Sequence, residues 1–66
     1  MGTHYDNRRR ATIMLRQELA SKPCSVEDLT RLVMNQFGFS KKFVLDFLEA
    51  HSAAIKDVDG MFEWKA

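Results

Sequence analysis

Two clusters of basic side chains are best placed to do chemistry: Arg8, Arg9 and Arg10, and the pair Lys41 and Lys42. Guanidinium and ammonium groups bind phosphate oxygens by charge-assisted hydrogen bonds, so an anionic partner is the first chemistry to weigh. For each cluster a plainer reading stands beside it, a solvated basic stretch on a helix. The other reactive residue types are sparse. His4 and His51 lie far apart in the chain, and neither is near a nucleophile or a metal-ligand pattern. Cys24 is the only cysteine, so it forms no internal disulfide, and it lacks zinc-ligand spacing. It is expected to be half-buried and unreactive ahead of a helix. There is no glycine-rich phosphate loop and no paired-carboxylate arrangement. The chain therefore reads as a binding module, not an enzyme, with no metal and no cofactor.

Composition bounds the partner. With 10 Lys and Arg against 9 Asp and Glu, the formal net charge of +1 does not demand nucleic acid, so any DNA surface must come from local clustering. At 66 residues, with 45% apolar and 29% charged residues, the chain is one small globular domain with a modest core. No run is long and apolar enough to span a bilayer, and no secretory pattern opens the chain. The expectation is an intracellular protein, cytoplasmic or nuclear, without a membrane partner.

The elements that would position these groups can be read from periodicity. Residues 1–7 carry none and are expected to form a flexible arm, with residues 8–66 as a single domain. Asp6 or Asn7 is the candidate cap of a first helix running to about Ser21, with Ala11, Met14, Leu15 and Leu19 on one face. Ile13 and Ala20 fall off that face. Arg8, Arg9 and Arg10 would then sit in the first turn, where cations oppose the helix dipole and an external anion would compensate. Pro23 ends this helix. Ser25 caps the next, with Asp28 three residues on as a short version of a capping box. Val26, Leu29, Leu32, Val33 and Phe37 form its apolar stripe. Gly38 then stands where a left-handed residue is needed, and Phe39 is placed to fold back on the helix. Ser40 is the cap of a third helix with Phe43, Val44, Phe47 and Leu48 inward. After His51, which suits the negative end of that helix, the period changes to alternation. Asp59-Gly60 is a strong type I′ hairpin signal, pairing Val58 with Met61, Asp57 with Phe62, Lys56 with Glu63 and Ile55 with Trp64. The fold class is mainly α with a C-terminal β-hairpin.

Helix, helix, turn, helix, then a hairpin ending in an aromatic strand: over Arg8 to Ala66, and above all over SVEDLTRLVMNQFGFSKKFVLDFLEAHSAAIKDVDGMFEW, this order resembles the winged helix-turn-helix superfamily. The resemblance implies that the third helix, about residues 40–51, reads DNA and that the hairpin is the wing. On that basis Ser40, Lys41 and Lys42 begin the reading helix, and Asn35 and Gln36 reach a phosphate or a base. Arg8, Arg9, Arg10 and Lys56 would contact the backbone. Asp46 and Glu49 on the reading helix, and Asp57 and Asp59 at the wing tip, repel phosphate and limit how deeply the helix sits. The expected function is double-stranded DNA binding, as a small transcriptional regulator. The alternative is a protein–protein adaptor within a larger nucleic-acid-handling assembly. Ile13, Leu45 and Met61 are hard to bury together in so small a core, and would serve a homodimer or another protein partner.

Overall fold

Ala11, Leu15 and Leu19 recur at every fourth residue, and all three are buried, as this spacing requires of a helix lying on a core. The structure, a computed structural model, describes residues 3–65, with side chains from Asp6 onward. It consists of helices α1 (Thr3–Ser21), α2 (Val26–Phe37) and α3 (Lys41–Ala50), one 3-10 turn (Ser52–Ala54), and strands β1 (Ile55–Val58) and β2 (Met61–Trp64). This is the expected mainly helical chain with a C-terminal hairpin, in the layout of a helix-turn-helix followed by a wing.

The start of α1 differs from expectation. The arm expected over residues 1–7 is helical from Thr3, while Met1 and Gly2 lie outside the described residues. No proline or glycine interrupts the stretch after Gly2, and Asp6 falls in the first turn, where a carboxylate suits the positive end of the dipole. Asp6 and Asn7 are thus inside the helix and do not cap it. Arg8, Arg9 and Arg10 stand beyond the first turn, so the dipole penalty expected for them largely lapses, since that effect fades within one turn.

α2 is closed at both ends. The Asp28 amide donates to Ser25 Oγ at 3.1 Å and the Ser25 amide donates to Asp28 Oδ2 at 3.4 Å, so the short aspartate completes the box with one long bond. At the other end Gly38 adopts φ 76°, ψ 16°, and its amide donates to the Met34 carbonyl at 2.9 Å. Phe39 folds back and stacks between Phe37 and Phe43, with ring centroids 5.8 and 4.6 Å away. Ser40 occupies the position before α3 in extended geometry, but its hydroxyl makes no capping bond. Only its carbonyl joins the helix, accepting from the Phe43 amide at 3.1 Å.

The core joins Leu15, Leu19, Leu29, Val33, Val44, Phe47, Leu48 and Ile55, with Phe62 and Trp64 packed against it. Among the described residues no polar or charged residue is buried as a whole, although the Thr30 hydroxyl is enclosed without a hydrogen-bond partner. Each fully buried Leu or Val contributes about 1.5–3 kcal/mol of apolar transfer. The hairpin has the register that a two-residue loop dictates: Ile55 with Trp64, Lys56 with Glu63, Asp57 with Phe62 and Val58 with Met61. Asp59 (φ 54°) and Gly60 (φ 81°) are both left-handed, as a type I′ turn requires.

A third extended segment, absent from the expected layout, joins the hairpin. Cys24 exchanges both backbone hydrogen bonds with Phe62, the Cys24 amide to the Phe62 carbonyl at 2.8 Å and the Phe62 amide to the Cys24 carbonyl at 2.7 Å. Cys24 is fully buried, not half-buried. Burial raises its thiol above the ordinary value, with Glu18 acting in the same direction.

A β-carbon at Gly38 meets no heavy atom within 4 Å, so Gly38→Ala costs only backbone strain. The expected loss is about 1 kcal/mol in urea unfolding. For Cys24, alkylation by iodoacetamide at mildly alkaline pH is expected to be at least about tenfold slower in the native protein than in urea.

Candidate nucleic-acid interface

α3 turns Val44, Phe47 and Leu48 into the core. At 3.6 residues per turn its opposite face carries Lys42, Leu45, Asp46 and Glu49, all exposed. Its first turn carries Lys41 and Lys42 and no acidic residue. Lys42 Nζ donates to Asp46 Oδ2 at 3.1 Å, one turn along the helix. Asp46 is thus the partner of one of the two lysines of that first turn.

α1 supplies a further cation at the same end of α3. The Arg8 guanidinium lies 5.4 Å from the centre of the Phe43 ring. Such a contact holds an otherwise mobile side chain over the aromatic face. Arg8, Ser40 and Lys42 then line one shallow depression, floored by Gly38, Phe39 and Phe43 and edged by Asp46. The Ser40 hydroxyl faces no capping bond there. Two cations and a hydroxyl thus meet at the start of α3, with the Asp46 carboxylate paired to one of the cations.

The remaining candidates lie apart. Consecutive helical residues point about 100° apart, so the arginine triplet fans out. Arg9 borders an adjoining depression with Arg8, Thr12, Ile13 and Phe43, and Arg10 is exposed. Asn35 belongs to a separate hollow between α1 and α2, with Glu18, Lys22, Asp28, Arg31 and Leu32, and Gln36 is exposed. Lys56 pairs with Glu63 across the hairpin at 3.6 Å, beside Trp64 and Lys65. Basic residues that sequence reasoning passed over take positions of note. Arg16 lies 5.1 Å from the centre of the Trp64 ring, and Arg31 lines the Asn35 hollow, 3.8 Å from Asp28. Both contacts place residues at helical spacing or across the fold, and only the Arg31–Asp28 pair, three residues apart, carries a signal in sequence.

His51 is held structurally. Its Nδ1 lies 3.0 Å from the Phe47 carbonyl, and its ring packs against both Phe47 and Trp64, at 4.6 and 5.8 Å. Among the described residues no group of three or more His, Cys, Asp or Glu side chains is arranged to hold a metal ion, and no helix is long and apolar enough to cross a membrane. No family model, curated protein or solved structure matches this chain.

Lys42 and Asp46 are both largely exposed, at 82% and 63%. An exposed pair at this spacing contributes little, so Asp46→Asn is expected to change unfolding stability by less than about 0.5 kcal/mol while removing one negative charge from the face.

Proposed function

We propose that this chain is a double-stranded DNA-binding domain of the winged helix-turn-helix type, acting as a small transcriptional regulator inside the cell. The observation that carries this reading is the convergence of Arg8, Ser40 and Lys42 on one depression at the open start of α3. Winged domains present that end of the third helix to the duplex, where cations and helix amides meet phosphate and the first turn reaches base edges. Lys41 stands beside this site in the same first turn. Asp46 and Glu49 keep the later turns of α3 away from the phosphates. Binding is therefore led by backbone contacts, with base readout confined to the first turn of the helix. Asp57 and Asp59 make the wing a poor phosphate grip.

One observation favours a protein partner instead. Leu45, 46% exposed, lies on the solvent side of α3, one turn before Glu49, and an exposed apolar side chain there suits a contact with another protein better than one with DNA. The adaptor reading takes over if duplex binding fails.

The two separate in a titration of mixed-sequence duplex at low and moderate salt. The DNA reading expects affinity to fall steeply with salt. Arg8→Ala and Lys42→Ala each remove about one phosphate contact and lower the salt slope by about one. Asp46→Asn raises affinity by freeing Lys42. Absence of binding at low salt overturns the proposal.

A further inference from the structure

We infer that this protein associates with a second copy of itself, the tip of the hairpin in one copy meeting the outer face of α1 in the other. On that face Ile13 is 46% exposed. Arg9 and Arg10 precede it by four and three residues, so both flank it at helical spacing, and Arg9 shares a depression with it. Among the described residues neither arginine takes part in an ion pair within the chain, in contrast to Lys22, Arg31, Lys42 and Lys56. Asp6 lies on the same stripe, three and four residues before the two arginines, so the face is an apolar side chain with a net positive charge around it.

The hairpin tip has the opposite character. Val58 and Met61 face each other in register and are 51% and 39% exposed. Asp59 sits in the turn beside them, and Asp57 precedes Val58 on the other face of the ladder, opposite Phe62; neither takes part in an ion pair among the described residues. One step down the ladder, Lys56 and Glu63 already neutralise each other. The tip is thus an exposed apolar pair with uncompensated negative charge.

Each surface has what the other lacks: apolar area to cover apolar area, and charge of the opposite sign at its edge. Both are carried on one chain, and that is the argument for a second copy as the occupant. A twofold arrangement uses the contact twice, which doubles the area of two patches that are small alone. The tip's charge also excludes it from a phosphate backbone. The surface adjoins the proposed DNA site, with Arg8 and Phe43 lining both depressions, but self-association is read without DNA and so fails or holds apart from that proposal.

Sedimentation of the purified chain without DNA tests it. The average mass is expected to rise with concentration toward twice the monomer at low salt, and to fall back at high salt. Two charge variants are decisive: Arg9→Glu with Arg10→Glu, and Asp57→Lys with Asp59→Asn, the asparagine keeping a residue that tolerates positive φ. Each alone is expected to weaken association by about tenfold. An equimolar mixture of the two is expected to restore it, because the reversed tip then meets the reversed helix face while the two unreversed surfaces still match. Circular dichroism checks that both fold, and Ile13→Gln with Val58→Thr provides a second route that leaves the charges alone and is likewise expected to weaken association. A strictly monomeric wild type overturns the inference. So does association indifferent to these variants, or a mixture that stays dissociated.

Discussion

A hairpin of two four-residue strands cannot hold itself together in water, because it buries too little area to offset the ordering of its backbone. In this molecule the constraint is met by a single residue of the connection between α1 and α2. Cys24 gives and takes one backbone hydrogen bond with Phe62, and so makes the hairpin the outer part of a three-segment sheet. The bridge fixes the alternation of β2. Phe62 and Trp64 then turn toward the helices, where Trp64 meets Phe47 at 6.4 Å and the Arg16 guanidinium covers its ring. The position of the wing and the packing of α1 therefore depend on the same two backbone bonds.

The turn at Gly38 is the second fixed point. Its left-handed backbone turns the chain from α2 into α3 across residues 38–40, and Phe37, Phe39 and Phe43 stack along the corner. Phe43 is also the ring beneath Arg8. One aromatic side chain thus completes the corner between α2 and α3 and holds an arginine of α1 at the start of α3. The electrostatic character of that site follows from the packing of the corner, and not from the density of charge in the sequence.

Much of the fold was legible because particular residues answer a backbone demand that few others can meet. Gly38 and Asp59-Gly60 mark positive φ. Ser25 and Asp28 mark a helix start. The 3.6-residue recurrence of Leu29, Leu32 and Val33 marks a buried face. The bridge at Cys24 was hidden because a single paired residue has no period to read. The helix start at Thr3 was hidden because the stretch before Arg8 has no apolar stripe, while helix formation there needs only the absence of a breaker. The candidate site was legible in residue type alone. Arg8 and Lys42 were both marked as basic, but their meeting depends on the crossing of α1 and α3. The separation of Arg8 from Asn35 and Lys56 depends on it equally.

The edge of the small sheet beyond Cys24 has a consequence for the behaviour of the protein at high concentration. In an extended segment alternate residues send their amides to opposite sides, so with Cys24 turned to Phe62, the amides of residues 23 and 25 are the ones turned outward. Residue 23 is proline, with no N–H to give, and the Ser25 amide is already engaged by Asp28. The margin that would template a fourth strand from a neighbouring molecule offers no free donor at either position. Fibrillar growth along that side is blocked by the residues that end one helix and begin the next.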